Sequence, residues 1–281
     1  MVNGANNTKP FLRWAGGKNW LIKHLDNLIP RNGFNNYHEP FLGGGSVFLS
    51  LSPQKKAYLS DLNEDLINTY IAIKNDPNNI IKILETYLNT KDFYYSIREQ
   101  KFTDQYEKAA QFIYLNQTSF NGIYRVNLKG KYNVPYGFRK KEFLEPEVLY
   151  KVSAALKNSI LFSGDFSLIK SNIKKNDFVF LDPPYTVSHN ENGFIKYNQN
   201  LFSLDDQIRL SNLIEVIKRK DAYYLLTNAA HSTILKIFEK GDLLIPIERA
   251  SLIGGKNAIR GQITEYIFTN VNNSLYDGTT K

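Results

Sequence analysis

The chain has 281 residues, no cysteine, a formal net charge of +8, and 18 tyrosines beside 18 phenylalanines. That length holds one large core, or a core with a substantial insertion, and the aromatic content supplies a packed interior, which excludes a disordered-tail protein. The absence of cysteine excludes disulfide frameworks, thiolate nucleophiles and cysteine-ligated zinc, and the positive balance favours polyanionic partners. Residues 1–10 are polar with no apolar signal core, and no later run approaches bilayer-spanning length. An intracellular protein without a membrane partner is expected.

In chain order, Phe11 to Lys18 comes first. Its Gly16-Gly17 pair predicts a tight turn into a helix through Trp20, Leu21, Leu25 and Leu28. Amides at a helix start suit an anion, yet Gly-Gly-Lys lacks the spacing of a phosphate-binding loop, and Trp14 could equally serve a core. Tyr37-His38-Glu39 reads as a brief strand entering the turn Pro40 to Ser46, followed by a short helix with Val47, Phe48, Leu49 and Leu51. Strand, glycine turn and helix is how a Rossmann-like unit approaches a nucleotide-like cofactor. Phe48 replaces the third glycine of the dinucleotide fingerprint, which disfavours NAD, and His38 is expected to be structural. A second strand, Ala57 to Ser60, ends at Asp61, and Asn63 opens a helix through Leu66, Ile67, Tyr70 and Ile73. Asp61 suits either a ribose-binding acid or a helix-capping acid, and the residues alone leave both open.

Asp76 to Leu115 shows several helical periodicities with no intervening strand, as in a helical insertion. Asn116 to Lys141 then carries Arg125, Lys129, Lys131, Arg139, Lys140 and Lys141 with no Asp or Glu. Phe120, Tyr124, Tyr132 and Tyr136 are interleaved with Asn121, Asn127 and Asn133, the mix expected of phosphate contacts, base-edge contacts and wedging side chains. A merely solvated loop would carry balancing acids. A helix near Glu145 to Leu156 and the strand Ile160-Leu161-Phe162 lead to Ser163-Gly164-Asp165-Phe166.

Phe178 to Leu181 is a continuous apolar run, a buried parallel strand, and Asp182-Pro183-Pro184-Tyr185 sits at its carboxyl end, where open α/β sheets bind ligands. The prolines remove two amide donors and hold the backbone extended, leaving acceptor carbonyls. Asp182 adds an acceptor carboxylate and Tyr185 a flat face, so a planar ring bearing an amino group would satisfy the set. Thr186 to Leu201, with His189, Phe194 and Tyr197, reads as a mobile cover. Ser203 caps a helix, Tyr223 to Thr227 is a buried strand, and Leu243 to Ile247 and Thr264 to Phe268 flank a Gly254-Gly255-Lys256 loop as a closing hairpin. Asn272 to Lys281 reads as a loose tail.

Phe11 to Lys18, Glu39 to Ser46, Ser60 to Asn63 and Asp182 to Tyr185, in this order, resemble the Dam-type (D12 class, alpha group) site-specific DNA adenine-N6 methyltransferases. The resemblance implies an α/β fold: a Rossmann-like class I methyltransferase sheet, mostly parallel with a closing antiparallel hairpin, and a helical target-recognition insertion. It implies a catalytic domain over 1–75 and 145–271, a DNA-binding recognition domain over 76–144 and a tail over 272–281. S-adenosylmethionine is the implied cofactor, with no metal. Trp14, Lys18, Asp61 and Asp182 match its binding positions, Phe41, Gly43, Gly45 and Ser46 lie along it, and Asp165 and Phe166 border its adenine. Asp182, Pro183, Pro184 and Tyr185 would engage the target amino group, with no catalytic histidine.

Phe120 to Asn127 with Asn133 to Gly137 resembles the recognition hairpin of enzymes that methylate GATC. Arg125 would read a guanine, Phe120 and Asn121 would wedge beside the target base, and Arg13, Tyr124, Asn133, Pro135 and Arg139 are further DNA-contact candidates. The expected activity is methyl transfer to N6 of a flipped adenine in duplex DNA. The expected site is GATC or a longer one such as GATATC. The enzyme would be a monomer, with a cognate restriction endonuclease acting on the same site as a further expectation. The Asp-Pro-Pro-Tyr motif also resembles those of RNA adenine and cytosine-N4 methyltransferases, although the latter usually carry serine at its head. A catalytically silent DNA-binding protein on this fold is the rival outside enzymology.

Overall fold

A computed structural model of the protein describes residues 8–127, 129–185, 202–250 and 262–272. Seven strands, β1 (Tyr37–Glu39), β2 (Ala57–Asp61), β3 (Ser159–Ser163), β4 (Phe178–Leu181), β5 (Tyr223–Ala229), β6 (Leu243–Ala250) and β7 (Gln262–Thr269), form a sheet in the order β3-β2-β1-β4-β5-β7-β6. The described helices are α1 (Asn19–Ile22), α2 (Leu25–Leu28), α3 (Ser46–Leu51), α4 (Glu64–Asn75), α5 (Pro77–Glu85), α6 (Lys91–Glu99), α7 (Gln105–Thr118), α8 (Pro146–Leu156), α9 (Leu204–Arg219) and α10 (Ser232–Phe238). The chain condenses into two compact units: Met1–Ile22, Leu42–Gln54 and Leu59–Gly164, and Lys23–Phe41, Lys55–Tyr58 and Asp165–Lys281.

The first unit is largely helical, and its caps explain where the helices start. Asn63 accepts from the Leu66 amide at 3.1 Å, Asp76 precedes Pro77 and accepts from Asn79 at 3.2 Å, and Asp104 accepts from Tyr106 at 2.8 Å. Each satisfies an amide that the first turn leaves without a partner. α7 packs on α4, α5 and α6 around the buried rings of Tyr70, Tyr94 and Tyr114.

The second unit holds the centre of the sheet. All residues of β1 and β4 are buried. β4 pairs parallel with β1 (Tyr37 with Phe178) and with β5 (Phe178 with Tyr223), which is why it reads as an unbroken apolar run. β7 pairs antiparallel with β5 and β6, so the expected closing hairpin is present. The strand order reverses between β1 and β4, the topological switch point at which such sheets bind ligands. Ser203 and Asp206 form a reciprocal capping box on α9.

One expectation is corrected. The helix over Trp20 to Leu28 is two separate turns, α1 and α2. Leu21, Leu25 and Leu28 would share one face of a continuous helix, but Leu21 belongs to the first unit and the other two to the second. The expected cover over 186–201, the Gly254-Gly255-Lys256 loop and residues 273–281 lie outside the described residues.

His38 is a structural residue, as expected. Its Nε2 donates to Asp177 Oδ2 at 2.8 Å with both side chains fully buried, and its ring stacks on Tyr58 at 4.7 Å. Asp177 also accepts from the amides of Asn36 and Lys174, each at 2.9 Å. Burial pushes its carboxyl up, but the bonds from His38, Asn36 and Lys174 prevail and hold it below the ordinary carboxylate range. A depressed carboxylate adds stability above its unfolded pKa and loses it as pH falls through the lower folded value. Asp177→Asn should cost roughly 3 kcal/mol in urea unfolding at neutral pH, with the difference from wild type shrinking below about pH 4. An unchanged midpoint at pH 7 would refute this role.

Candidate active site

In the first unit, the turn after β1 is locked from three sides. Gly43 has φ 47°, and a Cβ there would lie 2.8 Å from Cδ1 and Nε1 of Trp14. Gly45 has φ 65°, with the Tyr70 hydroxyl 2.9 Å from its missing Cβ, and that hydroxyl donates to the Gly43 carbonyl at 3.1 Å. The Gly43 amide in turn donates to Asp61 Oδ2 at 2.9 Å. Only glycine meets both the space and the left-handed backbone.

Asp61 resolves part of the ambiguity in its sequence reading. Asn63, not Asp61, caps α4, while Asp61 Oδ1 accepts from the Asn63 amide at 3.0 Å. Burial raises the Asp61 carboxyl, opposed by the amides of Asn63, Gly43 and Leu62. Lys18 is buried, its amide donating to Ser46 Oγ at 3.3 Å and its Nζ to the Gly16 carbonyl at 3.0 Å. Trp14, Lys18, Gly43, Gly45, Ser46 and Asp61 thus lie around one turn.

The same short peptide braces the basic segment. The Arg13 amide donates to Asn116 Oδ1 at 2.8 Å, and Asn116 Nδ2 donates to the carbonyls of Arg13 at 2.9 Å and Gly122 at 3.1 Å. Trp14 stacks on Tyr124 at 5.8 Å, and the Tyr124 hydroxyl donates to Asp65 at 3.2 Å. The hairpin closes through a bridge between Val126 and Tyr132, with Asn127 Oδ1 accepting the Lys129 and Lys131 amides as a turn former. Arg125 is exposed and held by Asn133, its Nε donating to Oδ1 at 2.8 Å. Phe120 is 52% exposed, and Asn121 adopts a left-handed φ of 55°. Pro135 accepts the Phe120 amide at 2.9 Å.

Arg13 and Arg139 meet at Gln117, Arg13 on its carbonyl at 3.3 Å and Arg139 on its Oε1 at 2.6 Å. Burial, then the charge of Arg139, lowers the Arg13 pKa. The segment lacks acids of its own, but Glu99 pairs with Lys131 and Glu145 with Lys141 from outside it. Those two lysines are balanced by partners that the segment's own sequence does not contain.

In the second unit, Phe41 stacks on Phe166 at 5.5 Å and meets Phe202 edge-on at 5.7 Å. Asp165 accepts from the Ser167 amide at 3.0 Å and from Arg209 at 2.7 Å. Burial pushes this carboxyl up, but Ser167 and Arg209 outweigh it and hold it low. At the end of β4, Asp182 Oδ1 accepts the Thr227 hydroxyl at 2.8 Å, and the Tyr185 hydroxyl donates to Glu265, which Arg249 also engages. Thr227, Glu265 and Arg249 carry no motif, and in the sequence Thr227 and Glu265 read only as strand residues. The available signal was that Glu265 shares one strand face with Ile263 and Ile267, a single acid in an otherwise apolar row. Among the described residues no group of three His, Cys, Asp or Glu could hold a metal.

A mostly parallel α/β sheet with an Asp-Pro-Pro-Tyr turn at the end of a central strand defines a Rossmann-like methyltransferase. Residues 14–252 match the D12 class N6 adenine-specific DNA methyltransferases, and the chain belongs to that family. It is 34% identical over 278 residues to the type II methyltransferase M1.LlaDCHI of Lactococcus lactis subsp. cremoris, covering 95% of this chain and 97% of that one. It is 35% identical over 243 residues to the type II methyltransferase M.MjaIII of Methanocaldococcus jannaschii, covering 79% and 84%. It is also 31% identical over 235 residues to the DNA adenine methylase of Escherichia coli K12, covering 81% and 82%. The protein is therefore an adenine-specific DNA methyltransferase, and DNA is its substrate. No helix among the described residues is long and apolar enough to cross a membrane.

The glycine turn yields a stability test. Gly43→Ala should destabilise the protein by about 1–3 kcal/mol, because the new methyl must displace the Trp14 indole. A shift in tryptophan emission should accompany the lower unfolding midpoint; wild-type values for both would show that the indole gives way freely.

Proposed function

We propose that the enzyme transfers a methyl group from S-adenosylmethionine to N6 of an adenine flipped out of duplex GATC. The observation that carries the chemistry is Asp182, oriented by Thr227 at the end of β4 and followed by two prolines and Tyr185. The residues fit the cofactor. Asp61, Trp14 and the close backbone of Gly43 and Gly45 suit ribose hydroxyls and the amino-acid moiety, and Phe41, Phe166 and Asp165 suit an adenine. When bound, S-adenosylmethionine supplies an electrophilic sulfonium methyl.

Adenine N6 is a poor nucleophile because its lone pair is delocalised into the ring, and flipping the base costs about a few kcal/mol. Phe120, half out in solvent, and Asn121 are the wedge that offsets the flip. Arg13 and Arg139, two cations drawn together on Gln117, suit a phosphate that would relieve their repulsion. Asp182 and the Pro183 carbonyl accept the two N6 hydrogens, favouring a pyramidal nitrogen whose lone pair leaves the ring plane. As the C–N bond forms and the C–S bond breaks, positive charge grows on nitrogen and these acceptors bind more strongly, which is transition-state stabilisation. The electron pair of the broken bond stays on sulfur, and the proton on the methylated nitrogen leaves to water, so no strong base acts beforehand. Burial, then the charges of Asp182 and Glu265, raises the Tyr185 hydroxyl well above its ordinary value, so Tyr185 serves as a stacking face and donor, not a base.

Arg125, steadied by Asn133, is the proposed reader of a guanine, with Tyr124 and Pro135 beside it, and residues 76–144 form the proposed recognition domain. The type II designations of two relatives favour an enzyme that protects sites cut by a cognate restriction endonuclease.

Labelled S-adenosylmethionine with duplexes carrying GATC, GATT and a scrambled site tests this directly. Label recovered as N6-methyladenine in the GATC duplex alone is expected, and label spread over all three would remove the sequence assignment. Asp182→Ala should lower transfer by about 10²–10³-fold or more while DNA binding persists, and a fully active variant would sink the mechanism. Arg125→Ala should erode discrimination at one base pair by about 1–3 kcal/mol, read as the ratio of kcat/KM between GATC and its single-base variants.

A further inference from the structure

Glu265 lies on β7 opposite Ala229 of β5 and Ile247 of β6, and its side chain is 0% exposed. A carboxylate so buried persists only when its oxygens are matched by donors. Its two oxygens are divided between different partners. Oε1 receives Arg249, with Nε at 2.8 Å and Nη2 on the same atom, whereas Oε2 receives the hydroxyl of Tyr185. A carboxylate serving only to tie β6 to β7 would be complete with the arginine. This one also reaches across to the last residue of the Asp-Pro-Pro-Tyr turn.

A tyrosine held only at its Cα turns about two side-chain bonds. Anchoring its hydroxyl, which lies on the axis of the second bond, fixes the first and so the direction of the ring. Because a phenolic O–H lies in the ring plane, the direction of its hydrogen bond favours one setting of the second. We propose that Glu265 is a positioning residue for methyl transfer: through the Tyr185 hydroxyl it sets where the ring on which the flipped adenine rests is held, and Arg249 balances its charge. The inference rests on the proposed role of Tyr185 as the stacking face. A fixed ring holds the base in the one orientation in which its amino group meets Asp182, so the benefit falls on the chemical step rather than on binding. Raised well above its ordinary pKa, the hydroxyl stays protonated and keeps donating across the working pH range.

The test is a double-mutant cycle with the full chain: Tyr185→Phe, Glu265→Gln and both together, in single-turnover methylation of a GATC duplex at saturating cofactor. Each single substitution should lower the rate about tenfold with DNA and cofactor dissociation constants within about twofold of wild type, and the double should fall no further than either single. Losses that multiply to about a hundredfold in the double would show that Glu265 acts on the fold alone, and overturn the proposal. Tyr185→Phe leaves the Glu265–Arg249 pair intact, so it remains informative if Glu265→Gln misfolds. With 2-aminopurine as the target base, this variant should fluoresce more brightly in the complex than wild type, because a loosely held ring quenches less. Unchanged brightness with an unchanged rate would overturn the proposal on that variant alone. A wild-type chain that methylates none of the duplexes would refute the proposed reaction and the anchor together, whereas an active wild type with multiplying losses refutes only the anchor.

Discussion

The parallel pairing of β1 with β4 is the constraint on which the rest depends. Both strands are buried along their full length, so their amides and carbonyls are satisfied only by the ladder, and both must leave it at the same, carboxyl, end of the sheet. Two polar segments far apart in sequence, the turn opening at Pro40 and the turn opening at Asp182, therefore emerge from neighbouring strands at the point where strand order reverses. Where the ladder stops, new partners are needed. At β4 they come from the next two strands on one side: Thr227 of the adjacent β5 takes Asp182, and Glu265 of β7, beyond it, takes Tyr185.

The peptide Arg13-Trp14 illustrates how one short stretch is held from two directions. Its tryptophan fills the space that side chains at Gly43 and Gly44 would need, and the flanking backbone is bonded on both sides by Asn116 of α7. Gly122 is equally constrained, since a Cβ there would fall 2.4 Å from Arg13 Cβ. The glycine turn and the basic hairpin of the first unit thus share a wall. A change at either is felt by residues 13 and 14, because close-packed side chains transmit displacement instead of absorbing it.

Charge in the basic segment is organised rather than merely abundant. Lys131 and Lys141 are paired with Glu99 and Glu145, Arg139 is tied to Gln117, and Arg125 is presented by Asn133. An arginine braced by a side-chain carbonyl and left exposed loses less rotamer freedom on meeting a base than one free in solution. That arrangement suits the proposed division between residues that meet phosphate and a residue that meets a base edge.

Much was legible in the sequence because it rests on local rules. An unbroken apolar run marks a strand buried on both faces, glycines mark a turn that admits no side chain, and Asn63 and Ser203 mark helix starts; the sheet class, the Asp-Pro-Pro-Tyr turn and the basic hairpin followed from these. The helix expected through Leu28 failed because periodicity cannot tell which core a leucine joins. Tertiary structure alone decided that Asp61 braces the glycine turn instead of capping α4, that Asn116 is a brace for Arg13, and that Thr227, Glu265 and Arg249 stand behind the Asp-Pro-Pro-Tyr turn. The physical reason is the same in each case: a hydrogen bond between residues 16 to 103 positions apart leaves no periodic trace along the chain, and a buried glutamate on a strand reads like a solvent-facing one until its neighbours are in place.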